Sequence, residues 1–309
     1  MIPRLQRTNE EPVVPALRPI KPILPDGEAI LQPPMDNTPN DAPSAPPVRI
    51  PHLGHAVLFL AITGSLLLLT QLLFGYMQGH IQPASAINPR IIIEAEAFTY
   101  LATLAVSWFV FPLLWLRSFA NGLQLNLPAA RRNALKLIPI GITLSLIVQA
   151  VSSLITLPKE IPMDDFFHTR TDVWLVTAFG VLLAPFFEEV AFRGFLLPAF
   201  AIAYDWLTLH RTEAALAEWH SSNRITRAGW AFAAVLTSIL FVWLHGAQVG
   251  YAWPVLILLF CVSLIFSFVR LRLRSVLAST LVHASYNFAI FLTTFIATDG
   301  YRHLDKLTH

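Results

Sequence analysis

Long apolar stretches dominate the chain from about residue 55 onward, and short segments between them hold most of the charges. Stretches of roughly 20 apolar residues have the length of an α-helix that crosses the hydrocarbon core of a bilayer. The pattern predicts an all-α, polytopic transmembrane helix bundle. The length of the fourth stretch leaves open whether there are seven or eight spans. The seven stretches lie at about 55–78, 97–116, 134–157, 173–203, 229–247, 252–270 and 275–297.

The first 52 residues follow a different pattern, with recurring prolines such as Pro33-Pro34 and Pro46-Pro47 and little apolar periodicity. Such a segment buries too little apolar surface to offset the entropy lost on ordering. We therefore expect a disordered, proline-rich tail at 1–52 and the helix bundle at 53–309. A PxxP-type ligand is the alternative to a plain spacer for this tail.

Composition supports the membrane interpretation, since 55% of the residues are hydrophobic and only 13% are charged. Soluble domains average about 25% charged residues. The net charge of +2 is too small to suggest nucleic-acid binding, and the apolar stretches make membrane lipids an expected partner. The single cysteine, Cys261, cannot form an internal disulfide and is expected to be a small buried hydrophobe.

Basic segments alternate along the chain with segments that are not basic, of which the one between the fifth and sixth stretches carries no charge; this predicts an orientation. Positively charged segments favour the cytoplasmic side, so the N-terminal tail is expected in the cytoplasm and the C-terminus on the opposite side of the cell membrane. The segment between the third and fourth stretches is acidic, with Glu160, Asp164, Asp165 and Asp172. The basic groups are Arg117 with Arg131, Arg132 and Lys136; Arg211 with Arg224 and Arg227; and Arg270 with Arg272 and Arg274.

Three charges interrupt the fourth apolar stretch: Glu188, Glu189 and Arg193. A charge inside a membrane span is costly and marks function by default. Glu189 and Arg193 are four residues apart, so they share a helix face and can pair. Glu188 points about 100° away around the helix, which leaves it free to act as a general base or a metal ligand.

Two further stretches contain histidines: His245 in the fifth, and His283 with Asn287, one helical turn later, in the seventh. A glutamate and a histidine can hold and deprotonate a water molecule. A second histidine and an amide can donate hydrogen bonds to the oxyanion of a tetrahedral intermediate. The alternative is a zinc ion held by Glu188, His245 and His283, although no HExxH motif is present. No cofactor is certain, and zinc is the one left open.

Together, Glu188-Glu189-x-x-x-Arg193, Phe241-x-x-x-His245 and His283-x-x-x-Asn287 resemble the three-motif signature of the CPBP intramembrane proteases. That family includes type II CAAX prenyl endopeptidases and bacteriocin-processing or immunity proteins. The resemblance covers about 173–297. It implies a helical bundle with a cavity open to the cytoplasm and often eight spans. It also implies that Glu188 and His245 activate water, His283 and Asn287 complete the site, and Glu189 and Arg193 support it.

The leading interpretation is therefore an intramembrane endopeptidase, glutamate- or metal-dependent, that hydrolyses a peptide bond of a membrane-associated substrate. A proton-coupled transporter is an alternative, because glutamate and histidine chains also serve as proton relays. A catalytically silent scaffold or immunity protein is another. For the endopeptidase, Glu188 and His245 are expected to approach within about 4–7 Å, close enough to share a water molecule.

Overall fold

The computed structural model describes residues 49–77, 89–155, 166–167 and 169–306, which are mostly helical and contain no strand. The α-helices in chain order are α1 (Leu53–Met77), α2 (Pro89–Trp115), α3 (Phe119–Leu123), α4 (Leu127–Ser152), α5 (Arg170–Ala178), α6 (Ala184–Glu189), α7 (Leu197–Thr208), α8 (Glu213–Ser221), α9 (Arg227–His245), α10 (Trp253–Leu273) and α11 (Val276–Ala297).

The predicted all-α membrane architecture is confirmed. Within the described ranges, seven helical stretches are long and apolar enough to cross a membrane. The fourth of these, Arg170–Thr208, is 39 residues long and combines α5, α6 and α7. The short helices α3 and α8 were not predicted, because each lies in a connection between apolar stretches.

The long fourth stretch is not a regular α-helix, because two π-helical segments, Phe179–Leu183 and Val190–Leu196, flank α6. Each π segment ends beside a proline in the first turn of the next helix, Pro185 in α6 and Pro198 in α7. A proline has no backbone N–H to donate, so the regular hydrogen-bond pattern is interrupted there. Both glutamates therefore lie between two local changes of helical geometry, a feature often found at functional sites.

Tight packing holds α11 against α4, which lets it present His283 to the fourth stretch. A Cβ atom on Gly141 of α4 would overlap the Val282 carbonyl oxygen and lie 2.7 Å from the Ser285 Cβ. A second region of the core is aromatic and joins α1, α2 and α3 to the π segment at Val190–Leu196. In it the rings of Phe59 and Phe195 stack with centroids 4.4 Å apart.

At the start of the described chain, ordered packing begins before the predicted boundary at residue 53. Ile50 packs against the aromatic core, and the Arg49 guanidinium lies 3.6 Å above the Trp219 ring. The predicted disordered tail otherwise lies outside the described residues. The expectation that Cys261 is buried is wrong, since it is exposed on α10, where the apolar surface of a span faces lipid.

Candidate active site

Glu188 lies between two histidines that come from different helices. Its Oε2 atom is 3.8 Å from Nε2 of His245 and 3.8 Å from Nε2 of His283. The convergence predicted for these three residues is therefore confirmed, and the separation of Glu188 from His245 is slightly below the expected range. Distances of 3.8 Å are too long for direct hydrogen bonds. Oε2 is buried and has no hydrogen-bond partner among the described residues.

The outer edge of the site remains accessible. The side chains of Glu188 and His245 are 18% and 20% exposed, whereas that of His283 is 5% exposed. A substrate or a water molecule can therefore approach from the side of Glu188 and His245.

The orientation of His245 is fixed by its own helix. Its Nδ1 atom lies 2.7 Å from the carbonyl oxygen of Phe241, one turn earlier in α9. A carbonyl oxygen only accepts hydrogen bonds, so Nδ1 donates, and in the neutral ring Nε2 carries the lone pair. The Phe241 ring also stacks on the imidazole, with centroids 4.2 Å apart. His245 therefore presents a proton-accepting nitrogen towards Glu188.

His283 connects the two glutamates through its two ring nitrogens. Its Nδ1 atom lies 3.1 Å from Oε1 of Glu189, while Nε2 faces Glu188. Phe266 of α10 stacks on the imidazole with centroids 4.6 Å apart. An ionised Glu189 only accepts hydrogen bonds, so Nδ1 is the donor in this pair. Neutral His283 accepts at Nε2, and doubly protonated His283 donates there.

The predicted pairing of Glu189 with Arg193 is confirmed, and the pair is completely buried. The Nη1 group of Arg193 donates to Oε1 of Glu189 over 2.9 Å. The Nη2 group donates to the carbonyl oxygen of Ser263 over 2.9 Å and to its hydroxyl oxygen over 2.7 Å. Ser263 in turn donates to Ser238 of α9 over 2.9 Å. Arg193 thus joins the fourth stretch to α10 and, through Ser263, to α9.

Asn287 has a partner that the sequence did not reveal. Its Nδ2 atom donates over 2.7 Å to the carbonyl oxygen of Gly180, in the first π segment. The Ala184 N–H, which would bond Gly180 in an α-helix, bonds Phe179 instead. The next residue, Pro185, has no N–H, so the side chain of Asn287 supplies the missing donor. Its amide has a second N–H, so the predicted role as an oxyanion donor stays a prediction.

The zinc alternative concerns the same side chains. Zinc requires ligand atoms at about 2.0–2.2 Å around one point. Among the residues that the structure describes, no group of three His, Cys, Asp or Glu side chains is arranged to hold a metal ion. The Oε2–Nε2 distances of 3.8 Å are nevertheless ones that two ligands of a single zinc ion can have, so zinc binding by Glu188, His245 and His283 stays a prediction.

The six predicted residues gather in one region of the bundle, whereas their supports were missed. Ser263, Phe266 and Gly180 contact the predicted residues from elsewhere in the chain and stand in no motif. Ser238 contacts Ser263. On α2, Tyr100 and Glu96 interact electrostatically with Glu188. The one available signal was that Glu96 is a charge close to an apolar stretch.

Fold and site together define an integral membrane protein whose spans enclose a glutamate–histidine–arginine centre. Residues 170–289 match the family model described as type II CAAX prenyl endopeptidase Rce1-like, which confirms the predicted resemblance for this part of the chain. The match contains all six predicted site residues and covers a little over a third of the chain. Comparisons with curated proteins and with solved structures give no match.

The family is one of proteases, which supports a CAAX-protease-like membrane endopeptidase over the transporter alternative. It supports hydrolysis of a peptide substrate at the membrane.

Proposed function

We propose that the protein is an intramembrane endopeptidase in which Glu188 and His245 activate water to cleave a peptide bond of a membrane-associated polypeptide. The observation that carries the proposal is the buried, unbonded Oε2 atom of Glu188, at equal distance from two histidine nitrogens. Its burial within the spans argues for a substrate that is itself at the membrane.

The geometry of Glu188 and His245 suits one water molecule. Two acceptor atoms 3.8 Å apart can each accept a hydrogen bond of about 2.8 Å from the same water. The Glu188 carboxylate and the lone pair on His245 Nε2 would then accept both water hydrogens. This leaves an oxygen lone pair directed at the scissile carbonyl. Glu188 takes the proton as the C–O bond forms, and it later passes the proton to the leaving amine.

His283 and Asn287 are proposed to stabilise the tetrahedral intermediate. His283 donates from Nε2 when it is doubly protonated, and Asn287 has one amide hydrogen beyond its bond to Gly180. Such donors stabilise the transition state because they act where negative charge develops. Glu189 and Arg193 do not touch the reacting atoms in this scheme and are positioning residues. Glu189 fixes the His283 ring, and Arg193 fixes Glu189.

The proposed water activation involves no metal ion. Full cleavage should therefore persist in the presence of 1,10-phenanthroline or EDTA. Loss of cleavage, restored by added zinc, would replace direct water activation with metal-assisted hydrolysis. The endopeptidase assignment would stand in that case.

The proposal is tested by Glu188→Gln, which keeps the shape of the side chain and removes its basicity. Peptides and new N-termini would be compared by mass spectrometry among membranes with the wild type, with Glu188→Gln and with Glu218→Gln. Glu218 is an exposed glutamate on α8 and provides the matched control. Cleavage products should fall by at least about 10²-fold in Glu188→Gln only.

The folded state of each variant is checked by its yield and melting temperature in detergent. A folded Glu188→Gln protein that generates the same products as the wild type would remove Glu188 as the base. A product set that is the same with and without the wild-type protein would support the silent scaffold.

A further inference from the structure

A second cavity, separate from the glutamate–histidine site, lies where several basic segments meet. Its volume is about 190 Å³, several times the ~30 Å³ that a water molecule takes in the liquid. It is bounded by the residues just before α1, the region from the end of α2 through α3, the last turn of α10, part of α7 and the start of α9. None of the six predicted site residues lines it.

The cavity is lined by three arginines, Arg49, Arg117 and Arg270, and by no aspartate or glutamate. Amide side chains, including those of Asn121 and Gln124, supply further hydrogen-bond donors. Three cations with no anion in one wall repel one another. This arrangement is therefore favourable only with a counter-charge.

Arg270 is the strongest indication of a ligand, because this charged residue is only 6% exposed. It bonds only neutral acceptors, Oε1 of Gln124 at 2.9 Å and the carbonyl oxygen of Leu123 at 3.5 Å. Its Nε atom has no hydrogen-bond partner within the described part of the chain. Glu189 acts on Arg270 electrostatically, but it is already paired with Arg193. A buried charge is normally paired directly, so we expect a further anion from outside the chain.

The other two arginines have no acidic partner in the cavity wall. Arg117 is exposed at its edge and makes no ion pair with a described residue. Arg49 bonds the carbonyl oxygen of Ser222 and stacks on Trp219, and burial lowers its pKa against the opposing effect of Asp205. The Asp205 carboxylate lies outside the cavity wall and already accepts from the Thr226 N–H over 2.7 Å.

We propose that this cavity binds a phosphate-bearing anion, either free phosphate or the headgroup of an anionic phospholipid, through Arg270, Arg117 and Arg49. Arginine suits this ligand because its planar donor groups match phosphate oxygens. The location at the ends of several spans is the depth at which lipid headgroups occur, and basic residues there attract anionic lipids. A bound anion would also stabilise the contact of α10 with Leu123 and Gln124 of the α3 region.

The test uses the full chain in a phosphate-free, non-ionic detergent and measures the melting temperature. One arm adds inorganic phosphate. The other adds phosphatidylglycerol, with phosphatidylcholine as the zwitterionic lipid of zero net charge. The wild type should show a saturable rise in melting temperature, because a ligand that binds only the folded state stabilises it. A rise with inorganic phosphate identifies the free anion as sufficient, and a rise with phosphatidylglycerol alone identifies the headgroup.

Arg117→Gln is the principal variant, because Arg117 is exposed and its replacement leaves the packed core intact. It should need about tenfold more anion, or more, for the same shift. Arg272→Gln, an exposed arginine of α10 outside the cavity wall, is the matched control and should respond like the wild type. Arg270→Gln should abolish the shift.

The proposal is overturned if neither phosphate nor phosphatidylglycerol gives a saturable shift beyond that of phosphatidylcholine. Equal dose dependence in Arg117→Gln and Arg272→Gln would also overturn it. The measurement involves no peptide cleavage, so its outcome is independent of the proposed endopeptidase activity.

Discussion

At the scale of single residues, the site depends on a chain of contacts in which each charged group positions the next. Ser263 holds Arg193, Arg193 holds Glu189, and Glu189 holds the His283 ring that faces Glu188. Only the last link reaches the proposed reaction. The residues of the earlier links are fully buried, so the loss of one partner leaves a buried charge unpaired.

Arg193→Ala should therefore lower stability as well as cleavage. It leaves Glu189 buried without its cation and removes two hydrogen bonds to Ser263. Removing one member of a buried ion pair typically costs about 3–5 kcal/mol. We expect a marked fall in melting temperature and yield, with Arg272→Ala, an exposed arginine, as the control. A heat-stable Arg193→Ala protein would contradict the structural importance of the pair.

Asn287→Leu separates two roles for the amide. Loss of the bond to Gly180 should lower the unfolding free energy by about 1–3 kcal/mol, because a carbonyl within the span is left without a donor. Loss of an oxyanion donor should lower kcat by about 10²–10³-fold. We expect both effects when melting temperature and kcat are measured on the same preparation. A fall in kcat at unchanged stability would show that the bond to Gly180 contributes little.

Residue spacing predicted part of this chain of contacts and could not predict the rest. The i,i+4 spacing of Glu189 and Arg193 is local, so the sequence indicates their pairing directly. Ser263 is 70 positions from Arg193, and only the packing of α10 brings them together. The partner of Asn287 depends on the π geometry before Pro185, which hydrophobic periodicity does not reveal.

At the scale of helices, close approach of α4 and α11 fixes the position of His283. Gly141 permits that approach, because no side-chain atom lies between its Cα and the backbone of α11 at Val282. The apolar pattern predicts both helices but not this contact, since a single glycine in a span has several explanations.

The π segments are a second feature at the scale of helices. They change the direction of side chains around α6, which carries both glutamates.

Gly141→Ala should separate α4 from α11 and displace His283. The added methyl group would lie 2.7 Å from the Ser285 Cβ and 3.0 Å from the Tyr286 nitrogen, so backbone must shift. Overpacking of this kind typically costs about 1–3 kcal/mol. Gly64→Ala of α1 is the matched control, because a methyl group there meets no atom within 4 Å. Equal melting temperatures for the two variants would contradict the tight contact.

At the scale of the whole molecule, the predicted positions of all seven spans agree with the helices to within a few residues, apart from earlier starts for the second and third. The agreement follows from the bilayer constraint, which requires long apolar helices wherever the chain crosses. Their lateral arrangement was not predictable, because the apolar surface of each helix is as compatible with lipid as with another helix. The orientation of the bundle stays a prediction from the distribution of charge.

The orientation can be measured with single cysteines in a Cys261→Ser background. Ser153 follows α4 beside the acidic connection, and Ser221 ends α8 among the basic groups; both side chains are exposed. If the basic segments are cytoplasmic, an impermeant maleimide added to intact cells should label Ser153→Cys. Ser221→Cys should react only after permeabilisation. The reverse labelling pattern would show that the bundle has the opposite orientation in the membrane. Labelling of both from one side would mean that Arg170–Thr208 does not cross the membrane as a single span, because this stretch is the only one of the seven between the two positions.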